Sequence, residues 1–84
     1  MKKENAKKAP DSRLKQLRKK KGLTQIAMRM HTGIDQSELS KMERGERLPT
    51  LDQAILLSRF FETSIDYLCE ETDEPKRYPK KENY

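Results

Sequence analysis

The sequence predicts a small all-α domain of five short helices, and three observations lead to this. Apolar residues recur at the spacing of a helix face, as Ala54, Leu57 and Phe61 do. No run alternates apolar with polar side chains as a half-buried strand does. Glycines and capping residues divide the middle of the chain into short segments. With 84 residues, of which 32% are hydrophobic and 39% charged, the chain can bury one compact core between polar ends.

Each predicted helix begins at a residue that caps helices well. The expected starts and ends are Ser12 (or Asp11 as its cap) to Lys21, Thr24 to near His31, Asp35 to about Arg44, Thr50 onward and Ser64 onward. Gly22, Gly33 and Gly45 follow the first three helices, where a residue with positive φ often ends a helix. In the resulting arrangement, apolar residues of all five helices face one core.

Two of these starts have the spacing of a capping box, in which side chain and backbone exchange hydrogen bonds. Asp35 with Glu38 would begin helix 3, and Thr50 with Gln53 would begin helix 4. Outside the helices, we expect a disordered basic arm over residues 1–10 and a disordered tail over 72–84. The domain itself would span residues 11–71.

Several functional classes are excluded by composition. The single cysteine, Cys69, excludes a disulfide framework within the chain, and with a single histidine, His31, we expect no metal site and no catalytic site. No apolar run approaches the roughly 18 residues that cross a membrane, and no hydrophobic segment follows the charged N-terminus as in a signal peptide. We therefore expect a cytoplasmic protein that is not an enzyme and needs no cofactor.

The positive charge is unevenly distributed. Residues 1–22 carry a net charge of +8, residues 23–50 are neutral, residues 51–75 carry −6 and residues 76–84 carry +3. One end of the molecule can therefore attract phosphate, while the acidic segment would repel it.

Helix 3 combines a narrow apolar side with a polar face. On a helical wheel, Leu39 and Met42 define the buried side, and Ser37, Ser40, Lys41 and Arg44 lie largely opposite, with Gln36 on the flank. Glutamine can pair with adenine, lysine can reach guanine, and serine can bond a base or a phosphate. A polar outer face is also common to ordinary surface helices, so this face alone leaves both interpretations open.

At this point the sequence resembles a known family. The segments RLKQLRKKKGLTQ (13–25), TGIDQSELSKMERGERLPTL (32–51) and TSIDYL (63–68) are similar to the phage-repressor, or XRE/Cro-like, helix-turn-helix proteins. The resemblance covers about residues 12–70. It implies a compact five-helix, lambda-repressor-like DNA-binding domain, with helix 3 (about 35–44) in the major groove.

The resemblance also implies roles for individual residues. Gln36, Ser37 and Lys41 match the base-reading positions, while Gln25 would touch a phosphate and brace them. Three residues match positions near the DNA backbone: Ser40, Arg44 and Arg47. Arg18 and Glu43 match an ion pair between helices 1 and 3, and Gly33 matches the glycine of the turn, where positive φ is expected.

Two positions depart from the family pattern. Arg29 stands where a small residue usually packs against helix 3, so either helix 2 rotates and Ala27 or Met30 packs instead, or Arg29 lays its stem along the surface. Glu62 stands where glycine usually ends helix 4, and positive φ would strain it mildly. Both departures concern local packing more than the reading face.

The first functional hypothesis is a transcriptional regulator, most simply a repressor, that binds an operator in double-stranded DNA as a homodimer. The family resemblance suggests helix 5 and the loop after helix 3 as dimer contacts. Such a protein would be prokaryotic and associated with the nucleoid when bound. The alternative is an antitoxin-type module that contacts a protein partner, through the acidic segment 51–75 and the tails, and also binds its own operator.

Overall fold

The computed structural model describes residues 11–77, which form five helices and no strand. The helices are α1 (Arg13–Lys20), α2 (Gln25–Thr32), α3 (Gln36–Glu43), α4 (Leu51–Phe60) and α5 (Ile65–Leu68). The all-α class and the number of helices are confirmed. None of these helices has the length and apolarity needed to pass through a bilayer. The predicted arm, residues 1–10, and the end of the predicted tail, residues 78–84, lie outside the described residues.

Four of the helices begin at a serine or threonine that caps them. In each case the side-chain oxygen accepts a hydrogen bond from the N–H of the third helical residue, and the caps are Ser12, Thr24, Thr50 and Ser64. Gln53 completes the predicted capping box at α4, since its Oε1 accepts from the Thr50 N–H at 3.1 Å. Each such cap contributes on the order of 1 kcal/mol to stability.

The capping box predicted at α3 is wrong. Asp35 stands at the N-cap position but makes no side-chain cap hydrogen bond. Glu38 does not reach back to it, because Glu38 Oε1 accepts from Arg47 Nη2 at 2.5 Å and from Gln53 Nε2 at 2.8 Å. A hydrogen bond from a guanidinium to a carboxylate is stronger than one from a neutral backbone N–H. Glu38 therefore binds Arg47, which is more distant in sequence, and not the backbone N–H of Asp35.

A residue with positive φ ends or follows each of the five helices, and four of these were expected: Gly22, Gly33, Gly45 and Glu62. Gly33, after α2, has φ 77°, as the family resemblance implied. Glu62, after α4, has φ 56°, so the predicted non-glycine residue in this conformation is confirmed. There, Thr63 N donates to Ser58 O at 2.9 Å, which closes the last turn in the manner of a Schellman motif.

The core lies where all five helices meet. Met28, Leu39 and Leu57 are fully buried at its centre. Around them pack further buried apolar residues, namely Leu14, Ile34, Met42, Ala54, Phe61 and Leu68. Helix α3 packs against α1 and α2, while α5 packs against α1 and α4. The apolar side of α3 is therefore held from within, and its other side faces outward.

The departure at Arg29 is accommodated on the surface. The Arg29 side chain is 60% exposed and its Nε lies 3.8 Å from Asp35 Oδ1. Met30 is 80% exposed and does not replace it in the interface with α3. The Arg29 side chain thus lies at the surface, as the second alternative expected, while Ala27 is half-buried and Met28 is fully buried in α2.

Arg13 connects the start of α1 with the chain that follows α5. Its Nη1 donates to the carbonyls of Tyr67, at 2.7 Å, and Thr72, at 3.1 Å. Its guanidinium also lies 3.9 Å from the centre of the Tyr67 ring, as in a cation–π contact. Residues 72–77 form neither helix nor strand, yet the Pro75 carbonyl accepts from Thr63 Oγ1. This described part of the predicted tail thus returns along the domain.

Candidate nucleic-acid interface

The outer face of α3 is polar and open. Leu39, fully buried, and Met42, 5% exposed, hold the inner side of the helix in the core. The residues on the outer side are exposed or, for Ser40, half-buried: Gln36, Ser37, Ser40, Lys41 and Arg44. They include every α3 residue assigned to DNA from the sequence. The structure therefore brings these side chains together on one surface.

A chain of side-chain hydrogen bonds orients the start of this face. Glu43 Oε1 accepts from Gln25 Nε2 at 3.1 Å, and Gln25 Oε1 accepts from Gln36 Nε2 at 3.4 Å. Gln25 is the first residue of α2 and Gln36 the first of α3. The half-buried Gln25 thus links a buried carboxylate to an exposed amide. This geometry matches the bracing role that the family resemblance implied for it.

The buried end of that chain is the ion pair of Arg18 and Glu43, which is confirmed. Two parallel bonds join them, from Arg18 Nε to Glu43 Oε2 at 2.6 Å and from Nη2 to Oε1 at 2.9 Å. The two side chains are only 13% and 3% exposed. The hydrogen bond to Glu43 raises the pKa of Arg18. Arg18 Nη1 also donates to the Leu23 carbonyl at 2.8 Å, so one guanidinium connects α1, the loop that precedes α2, and α3.

The guanidinium of Arg44, at the end of α3, is engaged within the protein. Its Nε and Nη2 donate to the two oxygens of Glu46, at 2.6 and 3.2 Å, and its Nη1 donates to Ser40 Oγ. The side chains of Arg44 and Glu46 are 53% and 51% exposed. Their hydrogen bond raises the pKa of Arg44 and lowers that of Glu46.

Arg47, in the loop between α3 and α4, is held against the protein. Besides Glu38, its Nη2 reaches Gln53 Oε1 at 3.1 Å, and its Nη1 donates to the Leu48 carbonyl at 3.0 Å. Its side chain is 31% exposed. These bonds tie α3 to the start of α4. Arg47 would have to exchange some of them to reach a DNA phosphate.

Sequence reasoning missed both acidic partners of these arginines, Glu38 and Glu46. The sequence Arg44–Gly45–Glu46 does contain a signal for the pairing of Arg44 with Glu46. A glycine between them can adopt positive φ and turn the chain, which brings the two side chains together. Gly45 has φ 76°, and the two charged side chains on either side of it meet. No comparable local signal marks Glu38, since Arg47 lies nine residues further along the chain.

Part of the basic charge of α1 is balanced locally. Asp11 accepts from Lys19 Nζ at 3.1 Å and lies 3.6 Å from Lys15 Nζ, and the hydrogen bond from Lys19 lowers the pKa of Asp11. Lys20 and Lys21 are exposed at the end of the helix. The contribution of α1 to attraction of phosphate is therefore concentrated at its C-terminal end.

Comparison with known proteins agrees with the all-α fold. A helix-turn-helix family model matches residues 14–68. The chain is 34% identical over 71 residues to YobD, an uncharacterized HTH-type transcriptional regulator of Bacillus subtilis (strain 168); the match covers 84% of this chain and 63% of that protein. The match thus spans less than two thirds of that relative's length. No solved structure matches the present chain significantly. The chain belongs to the helix-turn-helix family of XRE/Cro-like type.

Proposed function

We propose that this chain is a transcriptional regulator, acting as a repressor, that binds a specific sequence in double-stranded DNA. The observation that carries the proposal is the outer face of α3, where exposed polar side chains stand on a helix anchored by Leu39 and Met42. Such a helix fits the major groove, and side chains of this kind can distinguish base pairs there.

Within this proposal, the residues divide into two groups. Gln36, Ser37 and Lys41 read base edges, because they are exposed at the start and middle of α3. Four residues contact phosphates of the DNA backbone, namely Gln25, Ser40, Arg44 and Arg47. Contacts to phosphate position the protein without reading sequence. In this division, the hydrogen bond from Gln36 to Gln25 joins a proposed base-reading side chain to a proposed phosphate contact.

We further propose that the protein binds as a homodimer on a pseudo-palindromic operator. Leu48, in the loop after α3, and Leu51, at the start of α4, are 74% and 72% exposed. Two large apolar side chains so placed favour contact with a second copy, because burying them removes apolar surface from water. Half-sites about one helical turn apart, roughly 34 Å, would present successive major grooves to the two copies of α3.

The proposal is tested by selecting double-stranded DNA from a random library with the full chain near physiological salt, followed by sequencing. We expect an enriched inverted repeat, whose spacing reports the geometry of the dimer. If the recovered DNA shows no common sequence and binding is only a salt-sensitive background, the proposed function is wrong.

A further inference from the structure

Arg44 is proposed to meet a DNA phosphate, yet in this structure the donors of its guanidinium are directed at protein atoms. The Glu46 carboxylate takes two of them, at 2.6 and 3.2 Å, and Ser40 takes a third. A carboxylate and a phosphate both accept paired hydrogen bonds from the guanidinium fork. The two anions therefore compete for the same N–H groups.

We propose that Glu46 occupies the place of a DNA phosphate on Arg44 and thereby lowers the affinity of the protein for all DNA sequences alike. This inference rests on the proposed DNA-binding function and adds a regulating residue to the same surface. Because phosphate contacts carry no sequence information, Glu46 acts on overall affinity and leaves the preference among sequences unchanged.

The exposure of the pair suits such an exchange. Both side chains are about half exposed, and exposed ion pairs are weak because water and salt screen them. A duplex presents a dense row of phosphates, which can displace one carboxylate from Arg44. The displaced carboxylate then lies beside the DNA backbone and repels it. Both effects reduce the net gain from the Arg44 contact.

The neighbouring pair of Arg47 and Glu38 differs in kind. Glu38 also accepts from Gln53, and Arg47 also bonds the Leu48 carbonyl, so this cluster joins α3 to α4. Within residues 11–77, both hydrogen bonds that the Glu46 carboxylate accepts come from Arg44. Neutralising Glu46 should therefore weaken its competition for Arg44, because a neutral amide oxygen accepts more weakly than a carboxylate, without loosening the connection between the helices.

The test compares the full chain with its E46Q variant on two duplexes of equal length, the selected operator and a scrambled sequence. We expect E46Q to bind both duplexes about two- to fivefold tighter at roughly 0.1 M salt, the factor that an exposed ion pair is worth, with an unchanged ratio between them. Thermal unfolding of both proteins checks that the change does not come from stability. Unchanged affinity would overturn the proposal.

Two further variants separate the contact with Arg44 from a general effect of charge. E62Q removes the same charge after the far end of α4, whose ten residues span about 15 Å, longer than the screening length of roughly 10 Å at this salt. We expect E62Q to gain clearly less than E46Q. In an R44A background, E46Q should gain no more than E62Q does. A full gain from E46Q without Arg44 would show plain repulsion of DNA and overturn the proposal.

The same measurements distinguish failure of this inference from failure of the proposed function. If the wild-type chain bound operator and scrambled duplex equally well, the proposed specific regulator would be wrong, while the scrambled duplex would still report on Glu46. If the wild type preferred the operator and E46Q matched it on both duplexes, only the inference would fail.

Discussion

Glu43 connects the first three helices, since it lies on α3 and binds one residue each of α1 and α2. Its side chain is 3% exposed, and its oxygens accept from Arg18 and Gln25. A buried carboxylate is stable only when its oxygens are hydrogen-bonded and its charge is balanced. This one residue therefore fixes the position of α3 relative to α1 and α2. Glu43 also orients the side chain of Gln25, whose Oε1 accepts a hydrogen bond from Gln36.

Replacing Arg18 with alanine should be severely destabilising. The Glu43 carboxylate would remain buried without its counter-charge, a situation that costs about 3–5 kcal/mol in other proteins. That loss is a large part of the stability of a small domain. Urea unfolding of R18A measures it directly.

The control for this prediction is the double variant R18M/E43M. It removes both charges and refills the space with apolar atoms, a change that is often neutral or stabilising. We expect it to unfold close to the wild-type midpoint. If R18A were as stable as the wild type, the pair would not hold the helices together as described.

The local backbone conformation could be predicted from the sequence more readily than contacts between residues that are far apart in the chain. Glycine at position 33 and glutamate at position 62 were expected at positive φ, and both adopt it. The partners of Arg13 were not expected, because they lie 54 or more residues further along the chain. The pair of Arg18 and Glu43, 25 residues apart, was expected only because the family resemblance implied it.

At the scale of elements, the two predicted capping boxes had the same spacing and different outcomes. At α4, Thr50 and Gln53 exchange hydrogen bonds as expected. At α3, Glu38 binds Arg47 and Gln53 instead. Local spacing therefore predicted where both helices begin, but the choice of partner at α3 was decided by an arginine in the following loop. Helix starts depend on local signals more than side-chain pairing does.

This difference predicts unequal costs for two substitutions that look alike in the sequence. T50A should lose about 1 kcal/mol of stability, because a side-chain cap bond disappears. D35A should lose much less, because Asp35 makes no such bond. Urea unfolding of the two variants under the same conditions compares them. An equal or larger loss in D35A would contradict the observed start of α3.

The base-reading and backbone-contacting residues remain predictions at this scale, although the structure gathers them on one face. Their exposure follows from the burial of Leu39 and Met42, which the helical wheel predicted. The hydrogen bonds of Arg44 and Arg47 to carboxylates were not predicted. A long, flexible charged side chain can reach several acidic residues, and the sequence alone does not say which one it binds.

At the scale of the whole molecule, two exposed leucines lie three residues apart, in the loop after α3 and at the start of α4, at the proposed dimer site. Leu48 and Leu51 are mostly exposed, close to the end of α3. If this site joins two copies, burial of each leucine contributes on the order of 1.5–3 kcal/mol to the dimer. L48Q should therefore weaken self-association by about tenfold or more. Sedimentation equilibrium measures the change.

The M30Q variant is the control for the general effect of replacing an exposed apolar side chain. M30Q also replaces an exposed apolar side chain with glutamine, and Met30 is 80% exposed on α2. We expect M30Q to associate as the wild type does, and both variants to unfold at nearly the same temperature. If M30Q weakened association as much as L48Q, the dimer would not be formed at the loop after α3.

The central claim is that α3 carries separate residues for reading sequence and for holding the DNA backbone. The most direct measurement is competition binding of Q36A and R44A against operators changed one base pair at a time, at several salt concentrations. We expect Q36A to lose about 1–3 kcal/mol of discrimination at one base position. R44A should weaken all sequences alike and lower the salt slope by about one. Unchanged base preference in Q36A, or a changed preference in R44A, would contradict the claim.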